Sequence, residues 1–213
     1  LEIFTNIADY IGIAIENSYL YLKEHKKADY FKLLTEFGTK LHSHYRLDDL
    51  IKFVAQEVAM TFSAETCEIY LRDEKNPKIL ILRAGYGIPQ ELINSATHFI
   101  GEGLTGTIVK ENRIIRLKNV LNYPKYKGKY RSRMKENLKY GDRLAFLGIP
   151  IVVKTDVIGC IKLYNKIPRF SSSETYFTTD DENYLDILVY MLSIAIENLQ
   201  YLSSMQTSAI QII

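Results

Sequence analysis

Apolar residues recur at helical spacing near both ends of the chain. They form two adjacent stripes over positions 3–22 and two more over positions 185–205. A helix that packs only on its own domain needs one apolar stripe, so a second stripe at near-heptad spacing predicts a helical partner. The two segments also share a peptide, GIAIEN at Gly12–Asn17 and SIAIEN at Ser193–Asn198. We therefore expect connector helices at both ends that pair in a parallel homodimer.

An alternative is that both segments are ordinary amphipathic core helices with wide apolar edges. Asn17 and Asn198 interrupt equivalent positions in the two stripes. A buried Asn can fix the register of a parallel helix pair, at some cost in stability. The repeated peptide is thus compatible with both interpretations, and the oligomeric state decides between them.

Between these helices, helical and strand patterns alternate along the chain. The first helix is predicted to continue to about position 41, and apolar spacing predicts further helices over Arg46–Phe62 and Leu104–Glu111. Apolar runs bounded by polar turns predict strands at Cys67–Arg72, Ile79–Ala84, Ile114–Leu117, Leu144–Val153 and Val157–Tyr164. The fold class predicted is α+β, a central antiparallel sheet of about six strands flanked by helices.

Composition narrows the class of protein. The chain has 213 residues, of which 47% are hydrophobic and 24% are charged, which is typical of a globular domain. Its most apolar segment, Tyr184–Ile196, has thirteen residues and includes Asp186, whereas a membrane-spanning helix needs about 20. We therefore expect no membrane partner, and the two cysteines, which suggest no disulfide framework, predict a reducing, cytoplasmic location. Because Leu1 already lies in a helical pattern, we expect a piece of a longer protein.

Cysteine and histidine give no catalytic or metal signature. Cys67 and Cys160 each lie in a strand-like apolar run, without CxxC spacing. Of the four histidines, only His42 and His44 are close in sequence, in a predicted helix-end loop. No metal site, cofactor or catalytic residue is predicted, and we expect the chain not to be an enzyme.

Four motifs occur in a fixed order along the predicted sheet. They are AGYGIP at Ala84–Pro89, GEGLTGTIV at Gly101–Val109, LGIPIVV at Leu147–Val153 and DVIGCIKLYNK at Asp156–Lys166. Together they resemble the GAF domain family of small-molecule sensors over roughly Tyr30–Leu202. The resemblance implies a GAF domain at 28–202, a connector helix from a preceding module at 1–27, and the tail of an outgoing connector at 203–213.

A further pattern follows the last predicted strand. Asn165 and Lys166 precede Phe177, Asp181 and Glu182 in the arrangement N-K-(x)n-F-x-x-x-D-E. This arrangement resembles that of cyclic-nucleotide-binding GAF domains in phosphodiesterases and bacterial adenylyl cyclases. In those domains the arrangement implies a salt bridge close to the pocket wall. In this sequence the resemblance implies that the bridge joins Lys166 and Asp181.

The same acidic residues also have a simpler explanation. They fall in the first turn of the predicted last helix, where negative charge is favourable, and Thr179 is a candidate N-cap. On this alternative the acids only cap the helix, and Lys166 is solvated.

The segment Lys110–Arg143 is strongly basic. It contains twelve Lys and Arg residues against three acidic ones, a net charge of +9, and such a field attracts anions. Its aromatic residues, Tyr126 among them, and Phe146 just beyond it are candidates for stacking on a purine. In the resembled sensors a helix end holds the ligand phosphate, which adds Gly103, Leu104 and Thr105 to the candidate pocket.

Other roles for the basic segment stay open. So many Lys and Arg residues depart from the pattern of the resembled sensors, and a solvated face against an acidic partner domain is an alternative. Without a DNA- or RNA-reading motif, no nucleic acid partner is predicted.

The prediction for the whole chain is a regulatory sensing module of a larger signalling protein. It binds a small anionic ligand, cyclic AMP or cyclic GMP, and relays the change through dimeric connector helices to neighbouring GAF and output domains. The alternative is a ligand-free GAF module for dimerisation and scaffolding. Some relatives in the family reduce free methionine sulfoxide with several cysteines around the pocket, a set that this sequence lacks.

Overall fold

The structure is a computed structural model that describes residues 35–41, 44, 46–129, 145–168 and 174–210, with side chains in the last helix up to Leu202. Contacts divide the chain into two compact units, Leu1–Lys40 and Leu41–Ile213. Residues 35–41 are helical. The connector predicted at 1–27 and the basic stretch from 130 to 144 lie outside the described residues, and everything below concerns the second unit.

Six strands form one antiparallel sheet in the order β3-β2-β1-β6-β5-β4. They are β1 (Ala64–Arg72), β2 (Ile79–Tyr86), β3 (Thr97–Phe99), β4 (Ile115–Leu117), β5 (Phe146–Val153) and β6 (Asp156–Lys166). The sheet and its flanking helices confirm the predicted α+β class. Each long strand lies within a few residues of its predicted bounds, because apolar runs between polar turns are a direct strand signal.

The third strand is absent from the sequence-based prediction. β3 has only three residues, and it pairs with the start of β2 through Ile79↔Phe99 and Leu80↔His98. Two of its residues, Thr97 and His98, are polar, so no apolar alternation marks it. It forms because the chain after the 3₁₀ turn Gln90–Leu92 returns along the edge of β2.

Helices cover both faces of the sheet. The helices are α1 (Leu47–Thr61), α2 (Gly103–Glu111) and α3 (Thr179–Ile210). α1 packs on β1 and β2, α3 on β5, and α2 on β6 and β5. Residues of α2 share one buried cluster with Tyr70, Cys160 and Tyr164, whose side chains point to one face because strand residues alternate.

The two cysteines lie on opposite faces of the sheet. Tyr70 of β1 is the register partner of Cys160, whereas Cys67 pairs with Leu163, an odd-numbered position of β6. Both thiols are free and buried. Burial raises the pKa of Cys67, and it raises the pKa of Cys160 to about 12. These are properties of packing residues, since the reactive form of cysteine is the thiolate.

α3 is both a core helix and an apolar helix of membrane-spanning length. By length and composition alone, its segment Thr179–Leu202 is long and apolar enough to cross a membrane, which the sequence analysis did not anticipate. Core helices of soluble proteins pass the same test, and here Leu185, Leu188 and Leu192 are buried against the domain. This packing explains the apolar composition of one face without a membrane.

Candidate ligand-binding site

A cavity lies between the sheet, the start of α2 and the segment that follows the 3₁₀ turn Val120–Asn122. The described residues that line it are Glu68, Tyr70, His98, Glu102, Gly103, Leu104, Thr105, Tyr126, Lys127, Gly128, Lys129, Lys162 and Tyr164. Together with its open side the cavity holds about 470 Å³ of space between protein atoms.

The floor of the cavity carries a buried ion pair. Glu68 of β1 and Lys162 of β6 are register partners, so their side chains project side by side from one face of the sheet. Lys162 Nζ lies 2.9 Å from Glu68 Oε2, and the two side chains are only 3% and 2% exposed. Lys162 also donates to Thr105 Oγ1 at 2.9 Å. The pair therefore ties two strands to the first turn of α2.

The ammonium of Lys162 is charged at neutral pH. Burial alone disfavours its charge, but the Glu68 carboxylate outweighs burial and holds the pKa of Lys162 above its usual value. The Tyr70 ring, whose centre is 4.3 Å from Nζ, adds a cation–π contact. Removing two charges from water costs free energy that their attraction seldom exceeds. Buried charges that line a cleft are therefore candidates for function.

The cavity wall is formed by β3 and the start of α2. The Glu102 carboxylate lies 3.8 Å from His98 Nδ1 and 3.4 Å from Lys129 Nζ, and it accepts from the backbone N–H of Phe99 at 2.9 Å. Burial is the main cause that lowers the pKa of His98, to about 3, and the positive charge of Lys162 is the second cause. His98 is therefore neutral at physiological pH, and the charges of the wall belong to Glu102 and Lys129.

The depressed pKa of His98 predicts a loss of stability in weak acid. Between pH 6.5 and 5 the unfolded chain binds a proton that the folded chain does not. The free energy of unfolding is therefore expected to fall as pH falls, by up to about 1.4 kcal/mol per pH unit. His98→Gln removes this dependence, and urea unfolding across that pH range measures it. His44→Gln, outside the cavity, is the matched control, and an unchanged slope in His98→Gln would contradict the assignment.

Four of the ten residues proposed from the sequence line the cavity. Gly103, Leu104 and Thr105 form the first turn of α2, and Tyr126 lines the cavity with them. Phe146 does not reach the cavity: it is fully buried, and its ring packs edge-on against Tyr164, with ring centres 4.9 Å apart. It therefore supports a lining residue rather than contacting a ligand.

The remaining five residues cluster at the junction of β6 and α3, outside the described cavity lining. Lys166 Nζ contacts the carboxylate of Asp181, as the resemblance implied. The backbone N–H of Thr178 donates to the same carboxylate at 2.7 Å, and Thr178 Oγ1 accepts from the N–H of Asp181 at 3.2 Å. This is a capping box, so the N-cap is Thr178 and the prediction of Thr179 was wrong by one position.

Three of these residues have partners that the sequence did not indicate, namely Glu182, Phe177 and Asn165. Arg116 of β4 donates from Nε to the Glu182 carboxylate, from Nη1 to the Phe177 carbonyl and from Nη2 to Thr179 Oγ1. Asn165 donates to Glu65 Oε2 at 2.8 Å. Arg116 and Lys166 thus hold the first turn of α3 from two strands.

Sequence reasoning missed the charged floor and most of the wall. Glu68, Tyr70, His98, Glu102, Lys162 and Tyr164 line the cavity but were not proposed as site residues. A signal was present, since Glu68 and Lys162 are charged residues within apolar strand runs, TCEIYL and IGCIKLY. Their partnership depends on strand register, which these runs do not reveal. Among the described residues, no group of His, Cys, Asp and Glu could hold a metal ion.

Comparison with known families agrees with this architecture. The GAF domain family matches residues 44–197, which is most of the chain. The chain belongs to the GAF domain family. GAF domains are sensory and regulatory modules of signalling proteins, and this one has the six-stranded sheet and flanking helices of the fold. No curated protein sequence matches the chain significantly.

Several solved structures resemble this one. The GAF domain of a phosphoenolpyruvate-protein phosphotransferase from Acinetobacter is 22% identical with a TM-score of 0.66, covering 82% of this chain and 97% of that one. A free methionine-R-sulfoxide reductase from Neisseria meningitidis, in complex with its substrate, is 16% identical with a TM-score of 0.65, covering 83% and 93%. A methyl-accepting chemotaxis protein is 18% identical with a TM-score of 0.62, covering 78% and 98%. These likenesses show the fold, which serves both regulators and enzymes.

Proposed function

We propose that this GAF domain is a sensor that binds a small anionic ligand in the cavity above Glu68 and Lys162. The observation that carries the proposal is a charged pair buried at the floor of an open cleft, beside a helix N-terminus. Backbone N–H groups of Gly103 and Leu104 lie in the first turn of α2, where the helix dipole favours an anion. Lys127 and Lys129 line the same cleft and add positive charge.

A cyclic purine nucleotide is the ligand that we propose. Its single negative charge suits the helix start and the lysines, and its base suits the aromatic side chains of Tyr126 and Tyr164. The cleft, with about 470 Å³ of space between protein atoms including its open side, is the site that we propose for this ligand.

The test is thermal unfolding of the protein with cyclic AMP, cyclic GMP, AMP and ATP, after any co-purified ligand has been removed. A ligand that binds only the folded state stabilises it by about 2.7 kcal/mol at a hundredfold excess over Kd, so a cyclic nucleotide is expected to raise Tm by several degrees. Lys127→Glu, at the cleft, is expected to weaken this shift. Lys52→Glu on α1 makes the same charge change away from the cleft and leaves the shift intact.

We also propose that α3 pairs with α3 of a second copy. Exposed apolar residues recur on it at seven-residue spacing, at Ile187, Ile194 and Tyr201, with Tyr190 between them. Light scattering at tens of micromolar is expected to show a dimer that Ile194→Glu dissociates and Gln200→Glu does not. A monomeric wild type would contradict the pairing. A dimer with no response to any nucleotide would instead favour the ligand-free scaffolding function.

A further inference from the structure

The outer edge of the sheet at β3 is closed by side chains and not by another strand. Among the described residues, β3 has a neighbouring strand on one side only, which is β2. The open side of an edge strand presents backbone N–H and C=O groups with which another chain can pair. The hydrogen bonds of these groups therefore decide whether the sheet can accept a seventh strand.

The pairing with β2 shows which backbone groups of β3 face outward. The backbone groups of Ala96 and Ile100, on either side of β3, bond to β2 at 2.9 and 3.0 Å. Backbone groups alternate in direction along an antiparallel strand, so those of His98 also face β2. The N–H and C=O groups of Thr97 and Phe99 therefore point away from the sheet.

Side chains from two other segments bond to these outward groups. Lys129 Nζ donates to the Thr97 carbonyl at 2.9 Å, and the Phe99 N–H donates to Glu102 Oε2 at 2.9 Å. The two side chains also contact each other, with Lys129 Nζ 3.4 Å from Glu102 Oε2. An ammonium thus replaces the N–H donor of a neighbouring strand, and a carboxylate replaces its C=O acceptor.

The turn after β3 holds Glu102 in position for these bonds. The Glu102 N–H donates to the Phe99 carbonyl at 2.9 Å, which closes a four-residue turn. Gly101, at φ +88°, has the left-handed conformation that such a turn requires at its third residue. Burial opposes the charge of Glu102, but the Phe99 N–H and the Lys129 ammonium outweigh burial and lower the pKa of Glu102. The carboxylate is therefore ionised at neutral pH.

We propose that Glu102 and Lys129 form an edge cap that keeps a seventh strand off the sheet, and that the excluded strand is β3 of a second copy. Antiparallel pairing of an edge with its own copy around a two-fold axis is self-complementary. Centred on His98, this pairing would set the Thr97 carbonyl of each copy opposite the Phe99 N–H of the other. These are the two groups that the edge cap occupies, so the edge cap blocks the pairing directly.

The first experiment removes the edge cap in the Ile194→Glu background, which lacks the pairing proposed for α3. Glu102→Ala/Lys129→Met takes away both side chains. Glu102 makes no side-chain hydrogen bond to the start of α2, so the helix keeps its own bonds. Light scattering over tens to hundreds of micromolar is expected to show a mean mass that rises from one chain towards two. The association is expected to be weak, because only three residues of each copy pair.

Two further variants locate the contact. Glu91→Ala/Lys127→Met makes the same change of charge outside the edge cap, and it is expected to stay monomeric in the same background. Phe99→Lys, added to the uncapped variant, is expected to return the mass to one chain, since a charged edge strand resists pairing. The Phe99 side chain is 59% exposed, so the fold tolerates this change. A dimer that survives Phe99→Lys would place the contact elsewhere and overturn the proposal.

Hydrogen exchange at the Phe99 amide tests the same pairing at one atom. In the uncapped variant at low concentration, this amide is expected to exchange at least about tenfold faster than in the capped protein. Its protection is expected to return as concentration rises and the second copy binds. A folded, uncapped variant that stays monomeric, with Phe99 exchange independent of concentration, would refute the proposal. Lys129→Met alone keeps Glu102 in the turn and gives the same comparison should the double variant not fold.

These results are independent of the proposed ligand and of the α3 pairing. No nucleotide is added, and Ile194→Glu is present in every protein compared. A sensor that binds its ligand but does not associate when uncapped would keep the proposed function and refute the edge cap. Association of the uncapped variant in a protein that binds no nucleotide would support the edge cap and refute the cyclic nucleotide.

Discussion

Replacing either member of the Glu68–Lys162 pair alone by Met is expected to lower the free energy of unfolding by about 3–5 kcal/mol, because the other charge is left buried and unpaired. Their side chains are only 2% and 3% exposed, so water solvates the remaining charge poorly. The double variant Glu68→Met/Lys162→Met is expected to recover most of that loss, since it leaves no charge on the floor. Urea unfolding of the four proteins measures the coupling between the two sites.

An exposed ion pair gives the matched comparison. Arg83 Nη2 and Asp48 Oδ1 are 3.1 Å apart, but their side chains are 36% and 60% exposed. Asp48→Asn is expected to change stability by less than about 1 kcal/mol, because water solvates the charge that remains. Additive losses at Glu68 and Lys162, with no recovery in the double variant, would show that the two charges do not depend on each other.

Gly106→Ala is expected to be a strongly destabilising methyl addition at the helix that borders the cavity. A Cβ at Gly106 would lie 2.2 Å from the Phe99 carbonyl oxygen and 2.7 Å from the Gly101 nitrogen, and both are backbone atoms. The Gly101 N–H donates to the Gly106 carbonyl at 2.8 Å, so the loop cannot move away without losing this bond. We expect a loss of about 3 kcal/mol, measured by urea unfolding.

Gly103→Ala is the control for this substitution. Gly103 has φ +60°, which costs a non-glycine residue about 1 kcal/mol, but the nearest atom to its added Cβ is 3.7 Å away. A smaller effect at Gly103 than at Gly106 would show that close packing of α2 on the preceding loop is the limiting factor. Equal losses in the free energy of unfolding would instead indicate that alanine is generally unfavourable in this segment.

The sheet and helices could be predicted from the sequence because their signals are local. The run from Asp156 to Lys166 marks β6 by its apolar content, and GEGLTGTIV places the start of α2 within one residue of Gly103. The capping residue of α3 was misplaced because Thr178 and Thr179 are adjacent and both have capping side chains. The two hydrogen bonds that Thr178 forms with Asp181 distinguish them.

The site could be predicted only where it depends on one segment. The first turn of α2 supplies Gly103, Leu104 and Thr105, and a single motif carries all three. The floor instead depends on two strands far apart in sequence, since Glu68 meets Lys162 only through the antiparallel register of β1 and β6. Likewise the cluster around Asp181 was assigned to the pocket by resemblance, although register and helix position set it at the junction with α3.

Arg116 and Lys166 fix the first turn of α3 to the sheet, so a small rotation of that turn becomes a larger displacement at the other end of the helix. Arg116 and Lys166 fasten its base to two strands, while the helix runs for 32 residues, or about 48 Å. A tilt of about 5° at the base would displace the far end by about 4 Å. β4, which carries Arg116, directly follows α2 in the chain. A small shift of α2 at the cavity wall would therefore move Arg116 and cause a larger displacement at the C-terminal end of α3.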